Sequence, residues 1–219
     1  MKLYVVRHGQ TIFNQLNKVQ GWADTPLTKK GEKDGQMAGQ RLKNVKFNAA
    51  YSSDTSRAIH TAEFVLAENN NRTPQLKFMP EWREYFFGSF EGGSNDIMWG
   101  AVADAFDVSE KTPDAIAESI HDMTAIMNKI HEVDPQHIGE TAADFWERMS
   151  GALDHLKAKH QPNDNILIVT HGQLIGNLAQ HYAHLNDAQR PRNGAVAVFD
   201  LDDSGLRVTH FNDLETNFI

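Results

Sequence analysis

The stretch Lys2-Leu3-Tyr4-Val5-Val6-Arg7-His8-Gly9-Gln10-Thr11 decides the fold prediction. Its short apolar run, with two valines and a tyrosine, predicts a buried β-strand that ends abruptly at Arg7-His8-Gly9. In an open α/β sheet, ligands bind beyond the carboxyl ends of the strands. An arginine, a histidine and a glycine there predict an anion site with a potential nucleophile. On this stretch alone, a strand that merely ends in polar residues is an equally good interpretation.

A second apolar strand, over residues 165–170, also ends in a histidine and a glycine, His171-Gly172. Fully apolar strands between helices predict a parallel sheet that is buried on both faces. Further strands are predicted over 48–53 and 76–79, helices over 29–44, 54–68, 141–160 and 173–184, and a hairpin over 195–201 and 206–211. The predicted fold is α/β, a three-layer α/β/α sandwich with a mostly parallel central sheet, formed by one domain over residues 1–219.

The segment from about residue 93 to 138 differs from the rest of the chain. Its apolar spacing is helical, and it carries nine acidic residues but only two lysines and no arginine. We expect a helical cap inserted over one end of the sheet. Methionine and aromatic side chains in the segment are consistent either with a partly apolar substrate or with ordinary packing. These side chains are Met98, Trp99, Phe106, Met123 and Met127.

Composition narrows the possible partners. The chain has 219 residues and a formal net charge of −8, which argues against nucleic acid or an anionic membrane as the main partner. Cysteine is absent, so no disulfide or thiolate site is expected. No apolar run has the length of a membrane span, and the first residues enter a strand directly. The expected location is therefore cytoplasmic.

Two further residues fit an anion site. Arg57 falls in the first turn of the helix predicted over 54–68, where the helix dipole does not favour a cation. An arginine beside those exposed N–H groups is most readily explained by an anion that both bind, although a solvated arginine is the alternative. Glu84 precedes the aromatic run over 85–90, which would raise its pKa and keep a proton available. Glu81 and Glu91 compete for that role on the same argument.

Together these residues indicate phosphoryl transfer. A histidine nitrogen is a competent nucleophile toward phosphorus, and covalent catalysis divides one difficult transfer into two easier steps. Arginines bind the equatorial oxygens of the transferring group bidentately. A carboxylic acid protonates the leaving oxygen, and its carboxylate then deprotonates the attacking water.

Several motifs occur along the chain in one order. They are Arg7-His8-Gly9-Gln10-Thr11, Asn14, Gln20-Gly21, Ser53 with Arg57 and Thr61, Glu84 before Gly88, Glu91-Gly92, Gly139-Glu140-Thr141 and Thr170-His171-Gly172. This series resembles the histidine phosphatase superfamily, the group that contains the cofactor-dependent phosphoglycerate mutases. The resemblance spans nearly the whole chain, and the cap is its least covered part.

The resemblance implies specific roles. His8 would be the phosphorylated nucleophile and Glu84 the proton donor. The rest of the implied phosphate pocket is Arg7, Arg57 and His171, lined by Asn14, Gln20, Gly21 and the Gly172 amide. Glu140 and Arg148 are interpreted as structural support. No cofactor and no metal are implied, because the arginines supply positive charge. Among the eleven histidines, His155, His160, His181 and His184 fit solvated helix faces better than a metal site.

The favoured function is a phosphomonoester hydrolase that acts on a small phosphorylated metabolite, with water as the final acceptor. Mutases of this family carry additional arginines on a longer insertion, whereas the corresponding region here is acidic and would repel a second anionic group. A cofactor-dependent phosphoglycerate mutase with the same pocket is the alternative, and a catalytically silent binding protein is a third. The sequence does not specify the substrate, or whether the chain is a monomer or a homodimer.

Overall fold

The computed structural model describes residues 1–185 and 190–219. Its strands are β1 (Lys2–Arg7), β2 (Ala49–Ser52), β3 (Leu76–Phe78), β4 (Asn165–Thr170), β5 (Val196–Asp202) and β6 (Gly205–Asp213). They form one six-stranded sheet in the order β3-β2-β4-β1-β5-β6. The first four strands pair in parallel, whereas β5 runs antiparallel to β1 and to β6. The predicted α/β fold with a mostly parallel sheet is confirmed.

The helices cover both faces of this sheet. They are α1 (Ile12–Gln15), α2 (Lys29–Leu42), α3 (Ser56–Ala67), α4 (Asn95–Ala105), α5 (Pro113–Ile120), α6 (Met123–Val133), α7 (Ala142–Lys159) and α8 (Gly172–His181). Two short 3₁₀ helices, Pro80–Trp82 and Gly88–Phe90, follow β3. Among the helices of the described residues, none has both the length and the apolar character needed to cross a bilayer.

Alternate side chains of β1 point to opposite faces of the sheet and enter two separate cores. Tyr4 and Val6 pack in a core that contains buried residues of α2 and α3. Leu3 and Val5 belong to a larger core with buried residues of α4 to α8. The strand is therefore apolar throughout because both of its faces are covered.

Helices α2 and α3 pack closely because α2 carries glycines on one face. A Cβ added at Gly39 would lie 2.9 Å from the Glu68 Cβ and 3.0 Å from the Val65 Cα. The glycine spacing in α2 thus permits a close helix–helix contact.

Helices α4, α5 and α6 lie within the segment predicted as a cap. Their buried residues Met98, Ile116 and Ile126 belong to the same core as Leu3 and Val5 of β1. Because the segment has no core of its own, we propose that residues 1–219 form one domain with a helical cap at about 93–138. We use the name cap for α4, α5 and α6 below.

Candidate active site

His8 and His171 lie at the same edge of the sheet because β1 and β4 are parallel neighbours. Arg7 is in register with Thr170, so the next residue of each strand is a histidine. The two imidazole centroids are 5.2 Å apart. The structure therefore brings together the two strand-end histidines that the sequence singled out.

The hydrogen bond of His8 determines which of its nitrogens can react. His8 is only 3% exposed, and its Nδ1 lies 2.8 Å from the Gly9 carbonyl oxygen. A carbonyl can only accept, so Nδ1 carries the proton and Nε2 keeps its lone pair in the neutral ring. Burial holds the pKa of His8 well below its ordinary value, and Arg57 and Arg7 lower it further. His8 is consequently neutral and nucleophilic at Nε2.

Both ring nitrogens of His171 form hydrogen bonds within the protein. Arg57 donates from Nη2 to Nδ1 of His171 over 3.1 Å, and Nε2 lies 2.8 Å from the Ser53 Oγ. Because Arg57 can only donate, Nδ1 accepts and the ring proton is on Nε2. Burial is the main reason that the pKa of His171 lies well below its ordinary value, and Arg57 lowers it further. The neutral ring thus orients Arg57.

Arg57 is completely buried, and its guanidinium is held from several sides. Nη2 donates to the Gly21 carbonyl oxygen over 2.6 Å. Nη1 donates to the Ala23 carbonyl oxygen over 2.8 Å and to Asp24 Oδ1 over 3.0 Å. Gly21 therefore contributes its carbonyl group to the orientation of Arg57.

Two guanidinium nitrogens in the site have no acceptor. In the described part of the chain, the Nε atoms of Arg7 and Arg57 are buried without a hydrogen-bond partner. Arg7 is anchored elsewhere, since Nη1 donates to the Pro191 carbonyl oxygen over 2.6 Å. Burial lowers the pKa of Arg7 to about 10, so the side chain stays charged at neutral pH. Buried donors without an acceptor are costly, and the oxygens of an anion would satisfy both.

Gly172 allows Arg7 to lie against the first residue of α8. A Cβ at Gly172 would sit 2.9 Å from Nε of Arg7 and 3.0 Å from its Cζ. Any larger residue would therefore displace the guanidinium.

Glu84 lies at the N-terminus of α8 and is only 5% exposed. Its carboxylate accepts the backbone N–H groups of Gln173 and Leu174, both over 2.8 Å, and that of Tyr85 over 3.0 Å. These donors favour the charged form, but burial outweighs them and raises the pKa of Glu84. A carboxyl group of this kind can hold a proton and release it during a reaction.

The other two acidic candidates serve different purposes. Glu91 accepts backbone N–H groups of Gly21, Trp22 and Ala23 over 2.9–3.0 Å, so it holds the loop that orients Arg57. Glu81 is exposed. Glu84 is thus the carboxyl group that the fold buries beside the two histidines.

Glu140 and Arg148 form a largely buried ion pair that supports the Glu84 segment. Arg148 donates from Nε and Nη2 to the Glu140 carboxylate, both over 2.8 Å. Its Nη1 also donates to the carbonyl oxygens of Glu81 and Arg83 over 2.7 and 2.8 Å. This pair fits the structural role expected from the sequence.

The predicted lining residues Asn14 and Gln20 have different environments. Asn14 lines a cavity together with Asn193, whose Nδ2 donates to the His8 carbonyl oxygen over 3.0 Å. The amide of Gln20 is used within its own loop, where Oε1 accepts from the Thr11 hydroxyl over 2.6 Å and Nε2 donates to the Thr25 hydroxyl over 3.1 Å. Gln20 therefore stabilises the loop around the site.

The cavity lined by Arg7 and Asn14 has a volume of about 370 Å³. Its walls are mostly polar, and they consist of Arg7, Asn14, Asn95, Pro113, Asp114, Arg190 and Asn193. Sequence reasoning missed Arg190 and Asn193. The feature that could have indicated them is the stretch 190–193, which contains two arginines and lies just before β5.

The apolar side chains of the cap mainly contribute to packing. Met98, Trp99 and Met127 are at most 4% exposed and belong to the large core. Of the two interpretations that the sequence left open, ordinary packing therefore fits these side chains better.

The histidines outside the site are the remaining candidates for a metal centre. In the described residues, no group of three or more His, Asp or Glu side chains is placed to hold a metal ion. The interpretation of His160 and His181 as solvated was incomplete. The His160 Nε2 lies 2.8 Å from the Tyr51 hydroxyl, and the His181 ring stacks on Trp146 with centroids 4.0 Å apart.

The chain is similar in sequence to a known protein family. The sequence model of the histidine phosphatase superfamily (branch 1) matches residues 3–125 and 104–214. The chain belongs to the histidine phosphatase superfamily. Members of this superfamily are phosphatases or phosphotransferases that act on small phosphorylated substrates.

The proteins that this chain resembles include both mutases and phosphatases. The 2,3-bisphosphoglycerate-dependent phosphoglycerate mutase of Methanococcus vannielii is 27% identical over 94% of this chain and 92% of its own length. The crystal structure of phosphoglycerate mutase from Bacillus anthracis str. Sterne has a TM-score of 0.89 and 32% identity, over 98% of this chain and 93% of that chain. The α-ribazole phosphatase from Shigella flexneri shares the fold over the full length of both chains, with a TM-score of 0.73 and 24% identity.

Proposed function

We propose that the chain is a phosphomonoester hydrolase that works through a phosphohistidine on His8. The observation that carries the proposal is the pair of buried Nε donors without acceptors, on Arg7 and Arg57. They accompany a buried neutral imidazole whose Nε2 is available. A phosphoryl group would supply acceptors to both arginines and an electrophile to the histidine.

In the first step, oxygens of the phosphoryl group accept hydrogen bonds from Arg7 and Arg57, which neutralise its charge. His8 Nε2 attacks phosphorus, and the bond between phosphorus and the alcohol oxygen breaks. Glu84, whose pKa is raised by burial, gives a proton to the leaving oxygen. The products of this step are the free alcohol and phosphohistidine.

In the second step, water attacks the phosphohistidine. The Glu84 carboxylate takes a proton from that water, and the nitrogen–phosphorus bond breaks. Inorganic phosphate leaves, and His8 returns to the neutral form with its proton on Nδ1. Throughout the cycle His171 holds Arg57 in place through the 3.1 Å hydrogen bond.

A phosphoglycerate mutase that uses the same pocket is the second candidate. It is favoured by the TM-score of 0.89 to the Bacillus anthracis mutase. The argument against it from the acidic cap needs correction, because Arg190 lies outside the cap yet lines the same cavity as Arg7. A hydrolase remains our proposal because Asp114 of the cap also lines this cavity and would repel a doubly anionic sugar acid. A silent binding protein is disfavoured because the nucleophile, the acid and both arginines are present.

The test is hydrolysis of p-nitrophenyl phosphate combined with acid-quench trapping of a labelled phosphoenzyme. We expect the wild type to turn over and to carry an acid-labile label. His8→Ala should lose both properties, whereas His60→Ala, which changes an exposed histidine on α3, should retain them. Activity should also persist in a chelator. Full activity of His8→Ala would contradict the mechanism, and turnover of 3-phosphoglycerate with 2,3-bisphosphoglycerate faster than any hydrolysis would favour the mutase.

A further inference from the structure

Residues 191–194 lie against the end of β1. The Pro191 carbonyl oxygen accepts from Arg7 Nη1 over 2.6 Å, and the Gly194 N–H donates to the Arg7 carbonyl oxygen over 3.1 Å. The Gly194 carbonyl oxygen in turn accepts from Nη2 of Arg41 over 2.6 Å, and Arg41 is only 7% exposed. Hydrogen bonds to neighbouring elements therefore fix the segment at both of its ends.

Asn193 lies within this segment, and its side-chain amide contacts two acceptors near the nucleophile. Nδ2 of Asn193 donates to the His8 carbonyl oxygen over 3.0 Å and to Asn14 Oδ1 over 3.2 Å. Because a carbonyl oxygen can only accept, the amide atom that faces His8 is the nitrogen. The two hydrogens of this nitrogen are therefore used by His8 and Asn14.

The orientation of the Asn14 amide follows from two donors. The backbone N–H of Thr11 donates to Asn14 Oδ1 over 3.2 Å, and Nδ2 of Asn193 donates to the same oxygen. Since both partners are donors, Nδ2 of Asn14 is directed away from them. Among the described residues this nitrogen has no hydrogen-bond partner, and Asn14 lines the same cavity as Arg7. The Asn14 amide thus has a free donor on the cavity side.

We propose that Asn193 is a positioning residue, which fixes the Asn14 amide so that its Nδ2 donates to the phosphoryl group bound by Arg7. The inference rests on the proposed function, because the phosphoryl group is the ligand of that donor. Asn193 itself does not bind the phosphoryl group, since both of its amide hydrogens are used within the protein. Its remaining polar atom, Oδ1, is an acceptor and would repel an anion.

Loss of Asn193 would leave the Asn14 oxygen with the Thr11 N–H as its single partner. The amide could then rotate and present Oδ1 instead of Nδ2 to the cavity, where an acceptor would face the phosphate oxygens. A donor that is already oriented binds an anion more tightly than one that must first be ordered. Asn193 should therefore affect phosphate affinity only through Asn14.

The experiment measures the Kd of inorganic phosphate by isothermal titration calorimetry for a double-mutant cycle. Asn14→Ala should raise Kd about tenfold or more, because it removes a hydrogen bond to a charged group. Asn193→Ala should raise Kd about threefold to tenfold, since the Thr11 contact still restrains the amide. The double variant should bind phosphate within about twofold of Asn14→Ala, because no amide is left to orient.

Two further variants separate positioning from a merely structural role. Asn193→Leu fills a similar space without a donor, so its Kd should match that of Asn193→Ala. Asn69→Ala is the matched control, because Nδ2 of Asn69 also donates to two oxygens, the carbonyls of Leu42 and Val45, over 3.1 and 3.0 Å. It should lower the Tm and leave the Kd of phosphate unchanged. Thermal melts without phosphate check that each variant folds.

Three results would overturn the inference. They are an unchanged Kd in Asn193→Ala, wild-type affinity in Asn193→Leu, and an equal further loss when Asn193→Ala is added to Asn14→Ala. The titrations do not depend on turnover, so a wild type that binds phosphate but hydrolyses no phosphomonoester would refute the proposed hydrolase while the cycle still decides the role of Asn193. A wild type that binds no phosphate would refute both.

Discussion

The guanidinium of Arg57 and the imidazole of His171 are joined by a hydrogen bond of 3.1 Å from Nη2 to Nδ1. Since the other nitrogen of His171 contacts Ser53, we propose that the ring acts on a bound phosphate through Arg57. His171 is therefore a positioning residue for a cation whose Nε is left without an acceptor. The hydrogen bond distinguishes His171, which orients Arg57, from His8, whose Nε2 keeps its lone pair.

The first prediction concerns His171. Replacing it by alanine removes the acceptor of Arg57, so kcat should fall by roughly 10²-fold and the inhibition constant of inorganic phosphate should rise. His171→Asn keeps an oxygen that can accept from Arg57 and should recover part of both losses. Steady-state kinetics and phosphate inhibition test this. Equal behaviour of the two variants would show that the acceptor does not matter.

Glu84 should control the dependence of the rate on the leaving group. Glu84→Gln cannot donate a proton, so alkyl phosphates should lose roughly 10²–10⁴-fold in kcat, and p-nitrophenyl phosphate, whose leaving group needs little protonation, should lose much less. Because burial raises the pKa of Glu84, wild-type kcat/KM for alkyl phosphates should fall as the pH rises through that pKa. The variant should lack this alkaline limb. An unchanged pH profile would assign the proton to another group.

Stability should decrease as the pH falls below the ordinary histidine pKa of 6.5. The folded pKa values of His8 and His171 are depressed, so below pH 6.5 the unfolded chain binds more protons than the folded chain. The free energy of unfolding should then fall by up to about 1.4 kcal/mol per pH unit for each histidine until its folded pKa is reached.

The measurement is urea unfolding at several pH values between 5 and 7 in a buffer without phosphate. His171→Gln removes one of the two groups, whereas all other titrating residues remain, so its slope against pH should be smaller than that of the wild type. Identical slopes would indicate that the pKa of His171 is the same in the folded and unfolded chains.

The ion pair between Arg148 and Glu140 should be important for stability. The two side chains are 14% and 8% exposed, and Arg148→Ala leaves a nearly buried carboxylate without its partner, at a cost of about 3 kcal/mol. Arg207→Ala is the comparison, because Arg207 is 77% exposed in its pair with Asp200 and should cost less than about 1 kcal/mol. Chemical denaturation measures the free energy of unfolding of both variants. Similar small losses in the two variants would mean that other contacts hold the Glu84 segment.

Of two glycine substitutions, one should lower activity and the other should raise stability. Gly172→Ala places a Cβ 2.9 Å from Arg7 Nε, so activity should fall by about tenfold or more through displacement of the guanidinium. Gly151→Ala, in the middle of α7, meets nothing within 4 Å. It should stabilise the chain by about 0.5–1 kcal/mol because alanine favours the helix. Retention of full activity in Gly172→Ala would show that Arg7 tolerates a shift.

The sequence predicted the parts of the fold that depend on local pattern. The apolar runs of β1 and β4 indicated strands that are covered on both faces. In the sequence, a histidine directly follows each of these runs. A helix was predicted over 29–44, and in the structure the Thr28 side chain caps its start by accepting from the Gly31 N–H. By contrast, the four-residue helix α1 was missed, because one turn is too short to show a helical period.

Only the tertiary structure decided which of several chemically equivalent residues share a site. Glu81, Glu84 and Glu91 lie close together in sequence, but packing against α8 buries Glu84 and raises its pKa. Arg190 and Asp114 are far apart along the chain and meet in one cavity. Residue type and spacing determine local structure and chemical capacity, whereas burial, tautomer and charge pairing arise from contacts between distant segments. Those contacts therefore determined which glutamate is buried beside the histidines and which cation faces the cap.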